Sequence, residues 1–529
     1  MELNLSTNSL YYLGIAVWLL AALKGVFLDT YYWQLKEYRW DRMLEFLNSP
    51  KGRAFIVSPL NLIRALIILL GIYYSFSLAL TALALVTIFR LINNFRHHNF
   101  LRPKPTFRML LMLLAIFASE ALAIFFAANL ALAVLILEVL RPFLVTILMH
   151  IVGIPFLILK KYLMAKATKK RLAMPNLKVI GITGSYGKSS TKEFLYQILQ
   201  HKFKTIKTSK HVNVDIGIAQ ILLKEVKDST EVFIVEMGAY KKGEIASSCN
   251  IVKPEIGILT GVNEQHLSIF GSIQNTIQAK GELLASLPTN GLAIVNADSP
   301  NALESLQKCN NAEKVIKYSS QTKADLYANN IEQKDSSLNF TVHYKDQTTD
   351  FSVPIFGEHF VQNLLACVAC ALELGLALEE ISQYAKSCQV LEGSLQIFEN
   401  SKKIKIIDDS YNSNPDGFIS ALNSLKNLKA KRNFLVTMGM IELGEKNDEL
   451  HAQVGQKIAE ICDEIYVTSA DSFEILKSSI QKTNPNREVT LITDHQDLIR
   501  KINDKIQPGD AILFENRLPQ SIINQFKKA

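Results

Sequence analysis

Hydrophobic and polar positions divide the chain into two parts with different periodicity. Up to about residue 172 long apolar stretches dominate, and beyond it short apolar runs alternate with segments of helical spacing. Apolar stretches of this length fit membrane-spanning helices, and we expect four to six of them in a helical domain of residues 1–172. The stretches run from Leu10 to Leu28, from Ala65 to Phe89, from Met109 to Leu140 and from Phe143 to Leu159.

The charge distribution sharpens this division. Residues 1–175 contain 19 Lys and Arg against 7 Asp and Glu, although the whole chain has a formal net charge of only +8. Basic residues flank the apolar stretches, so the positive-inside rule predicts a multi-pass protein of a bacterial-type plasma membrane whose later domains are cytoplasmic. Basic groups on both sides of residues 65–89 require either a short hairpin there or one exception to the rule. The acidic balance after residue 175 argues against a nucleic-acid partner.

Two acids and two cysteines leave alternatives open. Glu120 and Glu138 lie inside apolar stretches, where a carboxylate is costly, so each is either a functional residue or a helix-packing position. Cys367 and Cys370 lie in an alanine- and leucine-rich helical pattern without a second Cys or His pair. We therefore expect buried thiols in a reducing compartment rather than a redox or zinc motif.

The second part of the chain begins with a glycine-rich segment between a predicted strand and a predicted helix. Residues 178–182 are a β-branched run, and residues from 190 onward have helical apolar spacing. The turn between them lies at a helix N-terminus, where free N–H groups and the helix dipole bind phosphate. Ile182 stands where the commonest P-loop has its first glycine. The residues expected to contact a nucleotide are Gly184, Ser185, Gly187, Lys188, Ser189 and Ser190.

Polar residues also follow three further predicted strands. Glu236 ends the run 231–236, His266 follows the run 256–260, and Asn296 ends the run 292–296. Ligands gather at the carboxyl ends of parallel strands, so these residues are expected at the same site, with Glu236 and Ser189 holding Mg²⁺. A lone loop histidine more often has no such role, but the position after a strand favours His266 as a ligand.

The order of these motifs resembles the Mur ligase family, ATP-dependent enzymes that add amino acids or dipeptides to the peptidoglycan precursor. The resemblance is strongest to the members that add D-alanyl-D-alanine, and it covers about residues 176–529. It implies a central P-loop ATPase domain, 176–392, with a mostly parallel sheet, and a C-terminal Rossmann-like α/β domain, 393–529. It also implies amide-bond formation through an acyl phosphate, with an envelope precursor and an amino acid or dipeptide as partners beside the lipid bilayer.

The resemblance implies specific roles around the metal. Glu236 and His266 match magnesium ligands, and Lys280 in the run Gln-Ala-Lys-Gly-Glu matches a lysine that is carbamylated and helps to hold a second Mg²⁺. Without CO₂, Lys280 would be a cation beside a metal; the alternative is a solvated helix lysine. The expected catalytic residues are therefore Lys188, His266 and Lys280, and the expected cofactors are ATP, two Mg²⁺ and a CO₂-derived carbamate.

The segment 407–415 resembles the signature of the family's C-terminal domain. The resemblance implies that Asp408 contacts the ribose, and the alternative is a strand end followed by a turn. By the same resemblance His359 and Asn363 are expected to brace a helix. The remaining residues that the signature implies near the nucleotide are Tyr411, Asn412 and Asn414.

The sequence also departs from the family pattern. Gly261 follows Thr260 where the family has asparagine, and Ser394 stands where an arginine is expected. Membrane helices replace the soluble domain that holds the uridine nucleotide of the substrate. Two alternatives to a peptidoglycan ligase therefore stay open: a poly-γ-glutamate-synthase-like ligase, and a non-catalytic nucleotide-binding membrane scaffold.

Overall fold

The computed structural model describes residues 7–48, 52–53, 57, 59–74, 79, 82–83, 85–86, 88–89, 102–127, 129–263, 267–334, 337–411, 414–440, 443 and 446–528. The chain divides into two compact units, Met1–Lys161 and Tyr162–Ala529. The predicted borders near residues 172 and 392 remain a prediction, because this division separates only two units.

The first unit is helical wherever it has regular structure among the described residues. Two helices there, Phe107–Phe125 and Leu132–Leu172, are long and apolar enough to cross a membrane by length and composition. The predicted stretch 10–28 falls within the first helix, whereas much of the predicted hairpin at 65–89 lies outside the described residues. The helices are α1 (Thr7–Leu35), α2 (Trp40–Asn48), α3 (Pro59–Tyr73), α4 (Phe107–Phe125) and α5 (Leu130–Leu172), whose last turns count with the second unit.

The two acids of the apolar stretches are paired with arginines. Arg141 Nε donates to Glu120 Oε1 at 3.2 Å, and an Arg141 terminal nitrogen lies 2.9 Å from Glu138 Oε2. Arg64 forms a second ion pair with Glu138. These pairs link α3, α4 and α5, and charged groups buried in apolar surroundings need such partners. The contacts support the helix-packing interpretation of both acids.

The second unit contains a mixed sheet between helices. Six neighbouring strand pairs are parallel, and the strands at one end are antiparallel. The sheet order is β2-β3-β1-β4-β5-β6-β7-β8-β9. Its strands are β1 (Lys178–Thr183), β2 (Thr205–Lys207), β3 (Val232–Glu236), β4 (Ile256–Leu259), β5 (Leu292–Asn296), β6 (Lys314–Ser319), β7 (Leu326–Lys334), β8 (Ser337–Tyr344) and β9 (Gln347–Val353).

The parallel strands β3, β4 and β5 are buried along their whole length and almost entirely apolar, which is the pattern of a sheet covered by helices on both faces. The predicted parallel core is therefore present, and the antiparallel β7 to β9 extension was not predicted. The connecting helices are α6 (Lys188–Leu199), α7 (Asp215–Lys224), α8 (Glu244–Val252), α9 (Leu267–Phe270), α10 (Ile273–Ala285), α11 (Pro300–Cys309), α12 (Phe360–Glu373) and α13 (Leu378–Ala385).

A second sheet follows, with the order β10-β11-β15-β12-β13-β14. Only the β10 to β11 pair is antiparallel among its described strands. The elements are β10 (Gln396–Glu399), β11 (Lys405–Asp409), α14 (Pro415–Asn427), β12 (Asn433–Thr437), α15 (Asn447–Ile461), β13 (Glu464–Val467), α16 (Ala470–Thr483), β14 (Val489–Leu491), α17 (His495–Lys505), β15 (Ala511–Glu515) and α18 (Gln520–Lys528).

The sheet order decides where the polar residues meet. Strands β3, β1, β4 and β5 are consecutive neighbours and run in the same direction. Their carboxyl ends therefore bring together Glu236, the glycine-rich turn after Thr183, Thr260 and Asn296. All six cysteines are free thiols, of which Cys309 is half-buried and the others are buried, as expected for core positions.

Candidate nucleotide site

The glycine-rich turn joins β1 to α6, and two of its glycines cannot be replaced. Gly184 has φ +150°, and a Cβ there would lie 2.1 Å from Thr260 Oγ1. Gly187 has φ +74°, and its Cβ would lie 2.7 Å from Asn363 Nδ2. Because L side chains avoid this region of φ, the turn needs glycine for its conformation and for the close approach. The result is a tight turn that leads directly into the N-terminus of α6.

Neighbouring segments hold this turn, which we call the phosphate loop (residues 184–187). Ser185 N donates to Gly261 O at 2.7 Å, and Thr260 Oγ1 donates to Tyr186 O at 2.5 Å. Asn363 Nδ2 donates to Gly187 O at 2.8 Å and to Thr191 Oγ1 at 3.1 Å. The bracing role predicted for Asn363 thus extends to the loop itself, which is fixed before any ligand binds.

Glu236 lies at the end of β3, with a carboxylate that is 4% exposed. Ser189 Oγ and Lys192 Nζ each donate to its Oε2 at 3.0 Å, and Asn213 Nδ2 donates to Oε1 at 3.4 Å. Burial alone would raise the pKa of Glu236, but the charges of Lys192 and Lys188 outweigh it and lower the pKa overall. The carboxylate is therefore ionised, and Oε1 keeps acceptor capacity next to the loop.

Lys192 was not among the predicted site residues. Its side chain is 1% exposed, and it lies in the buried stripe of α6 beside Thr191, Phe194 and Leu195. A lysine in an apolar helical stripe needs a buried negative partner. The lysine at an apolar position of the helical pattern was therefore the signal in the sequence, and Glu236 is its buried negative partner.

Lys188, at the start of α6, folds back over the loop. Its Nζ donates to Gly184 O at 2.8 Å and to Ser185 O at 3.0 Å. Burial lowers the pKa of Lys188, and the charge of Glu236 partly opposes that shift. Ser190 follows in the same helical turn and is partly exposed. The ammonium lies where the oxygens of a bound phosphate would gain a positive partner.

Lys280 projects from α10 and is 3% exposed. Burial, and after it the charge of Lys188, lowers the pKa of Lys280 to about 7, against the opposing effects of Glu244, Glu282 and Glu236. The structure therefore brings Lys280 within electrostatic reach of both Lys188 and Glu236, and it excludes the alternative of a solvated helix lysine. At neutral pH a large share of this amine is uncharged and nucleophilic.

Asn296 is fully buried at the end of β5. Its Nδ2 donates to Thr260 O at 2.7 Å and to Gln362 Oε1 at 3.2 Å, and its Oδ1 accepts from Asp298 N at 2.9 Å. Both ends of the amide are thus used by the protein. Asn296 lies beside the loop and braces the strand end that supports it.

The two acids at the end of β11, Asp408 and Asp409, point to opposite faces of the strand. Asp408 is fully buried and accepts from Lys527 Nζ at 2.8 Å and from Ser410 Oγ at 2.6 Å. Its carboxylate points into the C-terminal domain, so the arrangement favours the strand-end alternative over a ribose contact. Asp409 points to the other face, as strand alternation requires. Its Oδ1 accepts from Leu395 N at 3.0 Å.

Tyr411 and Asn414 reach the middle domain. The Tyr411 ring stacks on His211 at 5.1 Å, and its phenol lies near Ser189 and Glu236, whose charge adds to burial in raising the pKa of Tyr411. Asn414 Oδ1 accepts from Gly417 N at 3.0 Å and caps α14. The predicted residues Asn412 and His266 lie outside the described residues.

The donor set around Glu236 fits magnesium. Mg²⁺ binds through one or two protein oxygens together with substrate phosphate and water, and Ser189 Oγ and Glu236 Oε1 provide such oxygens beside the phosphate loop. No group of three or more His, Cys, Asp and Glu residues suited to a metal occurs in the part of the chain that the structure describes. A phosphate-dependent magnesium site is consistent with both observations.

Comparison with known proteins decides the family. The Mur ligase middle domain matches residues 182–371, and the Mur ligase glutamate ligase domain matches residues 395–515. The two matched segments together cover more than half of the chain. The chain belongs to the Mur ligase family. Mur ligases are ATP-dependent enzymes that form amide bonds, and the family predicted from the motifs is confirmed.

Individual Mur ligases show how far the similarity extends. The UDP-N-acetylmuramoyl-tripeptide--D-alanyl-D-alanine ligase of Bacillus subtilis is 27% identical over 340 residues, which are 64% of this chain and 72% of the relative. The Escherichia coli ligase of that name is 32% identical over 280 residues, 53% of this chain. The chain spans 61% of the length of the E. coli relative.

Solved Mur ligase structures share the fold. A MurF crystal structure from Acinetobacter baumannii has a TM-score of 0.63 at 26% identity, and covers 70% of this chain and 80% of that one. MurF from Thermotoga maritima in complex with ADP has a TM-score of 0.60 at 22% identity, and covers 70% and 83%. The second likeness supports the fold alone.

Proposed function

We propose that this chain is a MurF-type ligase, which joins the terminal carboxylate of a UDP-N-acetylmuramoyl-tripeptide to the amine of D-alanyl-D-alanine. The curated relatives carry that activity in their names. The carboxylate attacks the γ-phosphorus of ATP and releases ADP. The amine then attacks the acyl phosphate carbon, phosphate leaves, the amine loses a proton, and an amide remains.

One observation carries the proposal: the loop, Lys188, Ser189, Glu236 and Lys280 meet at one sheet edge. The loop N–H groups and the Lys188 ammonium bind and orient the phosphates, and they stabilise the charge that develops on the transferring phosphoryl group. Ser189 and Glu236 would hold Mg²⁺, which supplies further charge neutralisation when bound.

Lys280 is proposed to carry the carbamate that the family resemblance implies. Its amine would add to CO₂ and release one proton, which gives an N-carboxylate. Support comes from its near-complete burial and from a pKa of about 7, which leaves much of the amine neutral. Carbamylation would also remove a cation near Lys188, whose charge disfavours a second ammonium. Mass analysis of the intact protein under ¹³CO₂ trapping tests the modification.

The ligase proposal has a direct test. Purified full-length protein in detergent should release phosphate from ATP only when both the tripeptide precursor and D-alanyl-D-alanine are present, and hydroxylamine should trap the acyl phosphate. Lys188→Ala should abolish this release. Nucleotide binding without any trapped acyl phosphate, across precursors and glutamate, would favour the scaffold alternative.

Membrane attachment belongs to the same proposal. The apolar windows of Phe107–Phe125 and Leu132–Leu172 are only 22% and 17% buried, whereas a core helix of a soluble protein is mostly buried. Exposed apolar side chains on these helices include Leu114, Phe143 and Ile151. A lipid environment would cover them. Resistance to alkaline carbonate extraction, with protease access to the second unit in inverted vesicles, tests the attachment and its cytoplasmic side.

A further inference from the structure

Tyr186, at the tip of the phosphate loop, lies directly over Gly261. A Cβ on Gly261 would be 2.4 Å from both Tyr186 Cζ and Oη, and 2.9 Å from Cε1. A Cβ atom does not come within 3.0 Å of a non-bonded heavy atom, so the ring occupies the space that any side chain at position 261 would need. Glycine in place of the family's asparagine at position 261 thus leaves room for the ring of Tyr186 in the loop.

Gly261 is not required by its own backbone. Positive φ values occur at Gly184 and Gly187, whereas Gly261 is not among the glycines in that region. An alanine at position 261 would therefore meet no conformational strain from a positive φ, and the three atoms nearest to its Cβ all belong to the Tyr186 ring and hydroxyl. This separates a packing requirement from a backbone requirement.

Several hydrogen bonds join the phosphate loop to the segment after β4 (residues 260–263). Thr260 Oγ1 donates to Tyr186 O at 2.5 Å, and Ser185 N donates to Gly261 O at 2.7 Å. Asn263 N donates to Ser185 Oγ at 3.1 Å. A displaced ring would therefore move a turn whose backbone also binds phosphate.

The other side of this segment meets the C-terminal domain. Asn263 Nδ2 donates to Asp416 Oδ2 at 3.0 Å, in the first turn of α14. The Tyr186 phenol lies near Ser299 and close enough to Asp416 to interact with its charge. Ser299 in turn accepts from Val262 N at 3.1 Å. The phenol end of Tyr186 thus lies where α14 docks.

We propose that Tyr186 is a positioning residue that couples the phosphate loop to docking of the C-terminal domain. Position 261 must then be glycine, because the Tyr186 ring fills the space that a side chain there would need. This inference rests on the proposed function, because it takes the loop to bind ATP. The ring fixes the loop tip against residues 260–263, and the phenol reaches the surface that α14 contacts. Nucleotide binding and domain docking then share one side chain.

The test is a double-mutant cycle on the full-length protein. A fluorescent ADP analogue measures nucleotide affinity, and steady-state kinetics separate KM for ATP from kcat. Gly261→Ala overpacks a filled site, so it should displace the Tyr186 ring together with the loop and weaken nucleotide binding by about 10-fold. Tyr186→Ala should also weaken it, by about 10-fold. Tyr186→Ala/Gly261→Ala should resemble Tyr186→Ala alone, because the clash is then absent.

Tyr186→Phe separates the ring from the phenol. It keeps the packing, so nucleotide affinity should stay within about 3-fold, while loss of the polar hydroxyl beside Ser299 and Asp416 should lower kcat by about 2- to 10-fold. A merely structural side chain would alter thermal stability without this split. Additive effects in the cycle, or wild-type affinity in Gly261→Ala, would overturn the inference. Absence of nucleotide binding by the wild type would instead refute the proposed function.

Discussion

Two buried carboxylates, one in each α/β domain, have the same kinds of partners. Glu236 ends β3 and accepts from the Lys192 ammonium and the Ser189 hydroxyl. Asp408 lies near the end of β11 and likewise accepts from a lysine and a serine. The two carboxylates are 4% and 0% exposed. By sequence position and burial they are nearly equivalent.

The two carboxylates differ in whether one oxygen is left without a short hydrogen bond from the protein. Both strong bonds to Glu236 end on Oε2, and Oε1 has the 3.4 Å contact to Asn213. Asp408 uses both oxygens, and Gln520 Nε2 donates as well, at 3.2 Å to Oδ2. An acid at a strand end is therefore a ligand candidate only when one oxygen remains for a ligand and faces the phosphate loop.

The largest expected effect is that of Glu236→Gln on turnover. Removing one preorganised electrostatic group costs about 10²- to 10³-fold in rate, and we expect a loss of that size in phosphate release at saturating ATP. Folding should survive, because Glu193 lies 3.7 Å from Lys192 Nζ and keeps that ammonium partnered. The matched control is Glu231→Gln, because Glu231 is exposed and immediately precedes β3, and this variant should retain activity. Glu236→Gln with more than about a tenth of wild-type turnover would contradict the assignment.

Asp408→Asn should lower stability and leave turnover unchanged, which is the reverse of the effect expected for Glu236→Gln. The change leaves Lys527 without its counter-charge, and breaking a buried ion pair costs about 3–5 kcal/mol. We expect faster hydrogen exchange in β11 and α18, with turnover per folded molecule unchanged. Asp463→Asn is the control, because the exposed pair of Asp463 with Arg487 is worth at most about 1 kcal/mol. Lost turnover with unchanged exchange would place Asp408 in the active site after all.

Lys192→Met should have an intermediate effect. Partners that orient a metal ligand typically contribute about 10- to 100-fold to metal affinity or activity, and we expect a change of this order in the Mg²⁺ dependence of turnover. Lys202→Met is the control, since Lys202 pairs with Glu380 at the surface. Equal Mg²⁺ dependence in both variants would show that Glu236 is oriented without Lys192, by Ser189 and Asn213.

The phosphate loop and Glu236 could be predicted because their signals are local. Glycines, a lysine and a hydroxyl between a strand and a helix identify the loop, and β3 ends in an acid. Neighbouring parallel strands then place these ends together without further information. Lys280 was placed near the site by the family resemblance alone, and its burial follows from its helix facing the sheet.

The choice between Asp408 and Asp409 could not be made from sequence. Adjacent strand residues face opposite sides, and which side meets α18 depends on a contact with Lys527, far along the chain. The pairing of Tyr186 with Gly261 was hidden for the same reason, since it joins two separate loops. Lys192 differs, because a charged residue in an apolar helical stripe was visible in the pattern.

The smallest expected effect distinguishes the two neighbouring acids by pH. Burial, and then the charge of Asp408, raises the pKa of Asp409 to about 7 although Glu515 and Leu395 N oppose the shift. The pKa of Asp409 in the folded protein is thus above its value of about 4 in the unfolded chain. The contribution of Asp409 to the free energy of unfolding is therefore complete below pH 4 and is lost as the pH rises through 7.

Asp409→Asn removes this titration without changing the size of the side chain. Relative to wild type, its melting temperature should therefore rise between pH 4 and pH 7.5, whereas Asp463→Asn should follow the wild-type profile. A constant difference between Asp409→Asn and wild type would mean that Asp409 is ionised throughout. Its environment would then be as favourable to charge as that of Asp408, where Lys527 supplies the positive partner, and the contrast between the two faces of β11 would disappear.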